Sequence, residues 1–142
     1  MARAADLADD GSRRFLTAFS TAVVMALEFT RINPAAAAQI VYRRAPGLSV
    51  KTSPARVIKA VSRVAEVYEA GRRRGLPWGI HERKRWTGFL RIQEELGRVK
   101  QLRPEDVYSN ALIAAANSFD TARVKRDALG FRSSLEFRVP LN

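Results

Sequence analysis

FLTAFSTAVVMALEFTRINP, residues 15–34, decides the fold class. Leu16, Phe19, Val23, Ala26 and Leu27 recur at the three-to-four spacing of one helical face, and Phe15, Ala22 and Phe29 widen that stripe. Ser12 is the expected N-cap, because its hydroxyl can accept an orphan backbone N–H. The helix is expected to end near Asn33, since proline disfavours helical geometry in the residue before it. Arg13-Arg14 ahead of an apolar run resembles the start of an export signal, but Asp6, Asp9 and Asp10 cancel the nearby arginines. The twin-arginine pattern also lacks one spacer residue before Phe15-Leu16. The run carries Thr17, Ser20 and Thr21 and stops at Glu28, short of the roughly 20 residues a membrane span needs. A buried core helix is therefore expected here.

Outward from this segment the pattern stays helical. Pro34 opens a second helix, Ala35–Arg44, which stops before Pro46-Gly47. Residues 47–52 read as a loop, and Ser53-Pro54 starts a third helix that runs to about Arg74. Val57, Val61, Val64 and Tyr68 form its apolar face, opposite Arg56, Lys59, Arg63 and Glu66. Gly75-Leu76-Pro77-Trp78-Gly79 breaks the chain. A fourth helix, Glu82 to Leu96, sets Trp86, Phe89, Leu90 and Gln93 on one side and stops at Gly97. Pro104-Glu105-Asp106 begins a fifth, with Val107, Ala111, Leu112, Ala115 and Phe119 expected inside and Asn110 and Asn117 at its edge. Asp120 caps a sixth that ends at Gly130. Leu135, Phe137 and Val139 alternate weakly, as a short strand or a loose tail would. The expectation is an all-α chain of about six helices: a lead-in 1–11, a helical body 12–130 and a tail 131–142.

The 142 residues, 46% of them hydrophobic and 27% charged, suit one ordinary core and exclude disorder and collagen-like structure. With no cysteine there is no disulfide scaffold, thiolate catalysis, Cys-based zinc site or iron–sulfur cluster. The formal charge of +11 is unevenly spread: +2 in residues 1–50, +8 in 51–100 and +1 in 101–142. The excess centres on Arg72, Arg73 and Arg74 and on Arg83, Lys84 and Arg85, with Trp78 and Trp86 interleaved. Charge plus stacking is how a protein grips nucleic acid, so one reading is a small basic helical protein binding nucleic acid or an acidic partner through Arg72–Arg85. Yet an arginine- and alanine-heavy composition is also what a GC-rich genome produces. A short basic run is ordinarily a solvated face, and nucleic acid is not the expected partner.

Little in the sequence points to catalysis. His81 is the only histidine, so a single chain has no histidine metal cluster and no Ser-His-Asp arrangement. It stands in a Gly- and Pro-containing loop, where a surface or helix-start role is expected. Glu94 and Glu95 diverge by about 100° on a helix and make no carboxylate pair. The glycines are scattered singly, so no phosphate loop forms. No enzyme activity, metal or cofactor is expected.

Two stretches carry a family resemblance. Phe15-Leu16-Thr17-Ala18, Ala26-Leu27-Glu28-Phe29 and Asn33-Pro34-Ala35-Ala36-Ala37 resemble a segment in the C-terminal half of SsuA-like periplasmic solute-binding proteins, whose next helix begins "nPeaA". Trp86…Leu90, Leu96-Gly97 and Leu102-Arg103-Pro104-Glu105-Asp106-Val107-Tyr108-Ser109-Asn110 are similar to that family's "W…l…G…l.PedvytN". The resemblance covers about residues 12–130. It implies the helical C-terminal part of a two-lobe α/β binding fold that serves ABC importers of nitrate, aliphatic sulfonates, taurine or thiamine-precursor pyrimidines. The implied partners are the missing N-terminal lobe, a transporter permease and, in the full-length context only, a small solute. None of the matched positions (Phe15, Asn33, Pro34, Trp86, Gly97, Pro104, Glu105, Asp106, Tyr108, Asn110) belongs to a pocket motif, so no solute-binding residue is implied. Family members are periplasmic; this chain shows no export signal and is expected to be cytoplasmic if made as written. Helices that pack on a sheet in that family are expected to leave an apolar face open here.

Overall fold

A computed structural model describes residues 4–72 and 75–138. The elements are α1 (Ala4–Ala8), α2 (Asp10–Ile32), α3 (Pro34–Arg44), α4 (Pro46–Lys51), α5 (Pro54–Arg72), α6 (Arg83–Glu95), α7 (Pro104–Val107), α8 (Ile113–Ala116) and α9 (Thr121–Gly130), then a 3₁₀ turn at Leu135–Phe137. No strand occurs among the described residues. Proline opens α3, α4, α5 and α7, where its missing N–H costs nothing and its fixed φ suits the first turn. Gly97, at φ +67°, closes α6: its N–H donates to the Glu94 carbonyl and that of Arg98 to the Gln93 carbonyl, a Schellman stop.

α2 is the central element and contacts α1, α3, α5, α8 and α9. α3 packs on α5, and α6 packs chiefly on α7. The core is small. Phe137 is fully buried with Ala38 and Val57, and Tyr42, Ile58 and Val61 pack around them. Tyr42 meets the Phe137 ring edge-on at 5.4 Å. Most other buried positions are Ala or Val.

The structure corrects several expectations. Asp9 rather than Ser12 caps α2, its Oδ2 accepting the Ser12 N–H at 2.7 Å; a carboxylate also complements the helix dipole. The expected loop at residues 47–52 is largely α4. The single helix expected from Pro104 is two short ones, because Tyr108 turns extended to stack on Trp86 and the Asn110 side chain leaves to bind another loop. Val107, Ala111 and Ala115 are consequently exposed, and Pro104 and Ala116 are buried instead. Residues 135–137 form a 3₁₀ turn rather than a strand, since no strand among the described residues offers them a ladder; Val139 lies outside the described residues.

The largest correction concerns α2. Much of the stripe expected inside faces outward: Phe15 and Phe19 are 69% and 60% exposed and Ala22, Val23 and Ala26 are open as well, while Leu16, Leu27 and Phe29 are half-buried. Val24 and Glu28 are the residues buried on this helix. α2 is long and apolar enough to cross a membrane, and only 11% of its most apolar window is buried.

Phe137→Ala is expected to destabilise the chain by about 3–5 kcal/mol, because it empties the one large side chain of the core. Urea denaturation followed by far-ultraviolet circular dichroism checks this; a loss under about 1 kcal/mol would mean that the C-terminal turn does not plug the core.

Candidate functional site

A buried carboxylate lies at the junction of α2, α5 and the loop of residues 76–82. Glu28 Oε1 accepts from Arg31 Nη2 at 2.7 Å, and Oε2 accepts from Trp78 Nε1 at 3.0 Å and Arg31 Nε at 3.3 Å. Arg31 also donates to Glu69 on α5. Burial by itself raises the Glu28 carboxyl, but the hydrogen bonds from Arg31 and Trp78 and the charges of Arg31 and Arg72 outweigh it and hold it below the usual carboxylate range. The bond from Glu28 is the main reason that Arg31 is raised; desolvation opposes it and Glu69 assists. Arg72 lies over the Trp78 ring at 5.6 Å and donates to the Leu76 carbonyl, and Tyr68 meets the same indole edge-on at 5.5 Å. Beside them is an open groove of about 280 Å³ between α2, α5 and the loop, walled by Leu27, Val67, Leu76 and Ile80.

Two asparagines hold the loop in place. Trp78 N–H donates to Asn117 Oδ1 at 2.9 Å, and Asn117 Nδ2 donates to the Trp78 carbonyl at 3.1 Å. His81 N–H donates to Asn110 Oδ1 at 3.0 Å, and Asn110 Nδ2 returns to the His81 carbonyl at 2.9 Å. Each side-chain amide thus mimics a strand neighbour for one residue. Gly79 permits the turn between them: its φ is +77°, and a Cβ there would stand 3.2 Å from Ile113 Cδ1.

The second family-like stretch gathers around this loop. Trp86 stacks on Tyr108 at 5.6 Å and donates Nε1–H to His81 Nδ1 at 3.0 Å. Arg83 pairs with Glu105 at 2.6 Å, joining α6 to α7. Asp106 Oδ2 accepts the Arg103 N–H at 3.0 Å, capping α7 from its third position. Pro104 is buried beneath. At the other stretch, Asn33 Oδ1 accepts the Ala36 N–H at 3.0 Å as the α3 cap, while its Nδ2 donates to the Ala128 carbonyl at 2.8 Å. Asn33, Pro34, Trp86, Gly97, Pro104, Glu105, Asp106, Tyr108 and Asn110 are therefore joints and caps; Phe15 stands in the exposed stripe.

The basic patch does not assemble as a free surface. Arg83 is paired with Glu105, Arg85 with Glu82 at 2.8 Å, and Arg72 is folded onto Trp78 and Leu76. Among the described residues Lys84 makes no ion pair; Arg73 and Arg74 lie outside the described residues. Both indole N–H groups are engaged. Glu94 accepts the Gln101 N–H and Glu95 pairs with Arg91, so the two carboxylates diverge. No group of three or more metal-ligating side chains occurs among the described residues. The Glu28 cluster escaped sequence reading, although an acid and a base three residues apart within an apolar helix were its visible signal.

Searches found no matching family model, no matching curated protein and no matching solved structure.

Glu28 stabilises the fold only while ionised. Its folded pKa is depressed, so its contribution is complete above the ordinary carboxylate value of about 4.3 and disappears as pH falls through its lower folded value. Glu28→Gln is expected to cost about 2–4 kcal/mol near neutral pH and to flatten the acid side of the stability profile. Urea melts read by tryptophan emission check this; an unchanged acid limb in the variant would mean that other carboxylates govern acid unfolding.

Proposed function

We propose that this chain is the helical C-terminal portion of an SsuA-like periplasmic solute-binding protein, the substrate-binding component of an ABC importer. The observation that carries the reading is the uncovered face of α2. Phe15, Phe19, Ala22, Val23 and Ala26 form a continuous apolar strip, and no charged residue lies between Arg14 and Glu28. An adjoining groove of about 340 Å³, lined by Met25, Phe29, Ala37, Ile40, Val41 and Val124, extends it toward α3 and α9. At 150–250 Å² per aromatic side chain, the two phenylalanines alone leave roughly 200–300 Å² in water. Apolar patches of several hundred Å² mark interaction surfaces. An uncharged helical face of this kind suits the apolar side of a sheet, which is where the resemblance puts the α/β part of the fold.

In this reading the chain performs no covalent chemistry. Its helices buttress a lobe that closes on a nitrate, sulfonate, taurine or pyrimidine-type solute, and the solute contacts come from the rest of the protein. The joints at Asn33, Asn110 and Asn117 give the buttress a single shape. The partners are that remaining lobe and, through the complete protein in the periplasm, a membrane permease. The rival reading, an acidic or nucleic-acid partner gripped through Arg72–Arg85, has less support, since the described arginines of that stretch are already engaged within the chain.

Isothermal calorimetry of the 142-residue chain with nitrate, taurine and an aminopyrimidine is expected to give no heat of binding, whereas co-expression with the N-terminal α/β part of an SsuA-like protein raises the soluble fraction. Micromolar or tighter binding by the chain alone would overturn the reading. So would duplex DNA or RNA bound selectively near physiological salt, where weak non-specific binding fades.

A further inference from the structure

α6 carries a second open apolar strip, and its chemistry differs from that of α2. Phe89, Ile92 and Leu96 are 52%, 49% and 58% exposed. At 100° per residue they fall with Arg85 within about 60° of one another, while Leu90 is turned inward. The strip stands out from the body, since α6 packs chiefly on α7. A shallow pocket of about 220 Å³ opens between Arg85, Trp86 and Phe89.

Charge decides what fits this strip. The outward face of α2 is bare of charge, whereas α6 has basic residues at both ends of its strip: Arg83, Lys84 and Arg85 before it, Arg98 and Lys100 after it. Residues 82–103 hold Arg83, Lys84, Arg85, Arg91, Arg98, Lys100 and Arg103 against Glu82, Glu94 and Glu95, a net +4. Among the described residues, Lys84, Arg98 and Lys100 make no ion pair. Arg83, Arg85 and Arg91 are engaged in ion pairs, so Lys84, Arg98 and Lys100 are the flanking cations left for an anionic ligand. An interface with apolar chains below and anionic headgroups above matches an apolar strip with basic residues at both of its ends.

We propose that α6 and the turn after it dock parallel to an anionic lipid surface, with Phe89, Ile92 and Leu96 entering the acyl boundary and the flanking Lys and Arg side chains reaching the headgroups. The proposal is independent of what covers α2. Co-sedimentation of the full chain with phosphatidylcholine vesicles, with and without phosphatidylglycerol, tests it. Binding is expected to need phosphatidylglycerol and to weaken as salt rises.

Phe89→Ser/Ile92→Ser is expected to lower the partition coefficient roughly ten- to a hundredfold, and Lys84→Gln, Arg98→Gln and Lys100→Gln about fivefold each. Phe15→Ser/Phe19→Ser is expected to leave it unchanged. All four side chains are surface-exposed, and circular dichroism checks that the serine variants keep their helix. Any one of four results overturns the proposal: no binding to anionic vesicles, binding insensitive to Phe89 and Ile92, loss only with the Phe15/Phe19 variant, or concentration-dependent self-association abolished by the Phe89/Ile92 variant, which assigns the strip to a second copy.

Discussion

The rotational setting of α2 depends on one buried carboxylate. Glu28 is 8% exposed and holds three hydrogen bonds, two from one edge of the Arg31 guanidinium and one from the Trp78 indole. Arg31 then reaches Glu69, so α2, α5 and the 76–82 loop meet at one charge network. An ion in such a place is tolerated only when it is fully partnered, because desolvation otherwise outweighs attraction. That requirement overrides the apolar periodicity of the helix. With Glu28 and Arg31 aimed at α5 and the loop, Phe15, Phe19 and Val23 have to face the other way.

With a core made largely of alanine and valine, distant segments are joined by side-chain amides. Asn33 binds the Ala128 carbonyl, Gln39 accepts the Ser134 N–H at 3.0 Å, Asn110 holds His81 and Asn117 holds Trp78. Each satisfies backbone groups that irregular segments would otherwise leave unpaired. Such bonds act at single points rather than over an area. Thus α6 and α7 are tied to the body through the His81–Trp86–Tyr108 cluster and its asparagine, while α2 packs on α3, α5, α8 and α9, and α3 on α5. The two open apolar strips lie on these two different parts, one uncharged and one set among basic residues, and their contrast in charge is what separates their proposed partners.

Much of the helix inventory was legible in residue order. Pro34, Pro54 and Pro104 mark starts, Gly97 and Gly130 mark ends, and Asp120 caps α9, its Oδ1 accepting the Arg123 N–H at 2.8 Å. These signals act over three or four residues, so local sequence contains all of their partners. The break between α7 and α8 was not legible, because it arises from Tyr108 and Asn110 bonding to groups more than twenty residues away. Phe137 read as part of a loose alternating tail for the same reason: its partners Tyr42 and Val57 are remote in the chain.

The sequence by itself determined an all-helical chain, the positions of most helix ends and the absence of cysteine chemistry, since periodicity, caps and composition are local or global properties of the string. Which face of α2 is inside was decided only by the tertiary structure. A 3.6-residue repeat reports that a helix has an apolar side, but burial goes to whichever side satisfies the whole network. Here the side that meets α5 and the loop carries Glu28 and Arg31, and Phe15 and Phe19 stay exposed on the other.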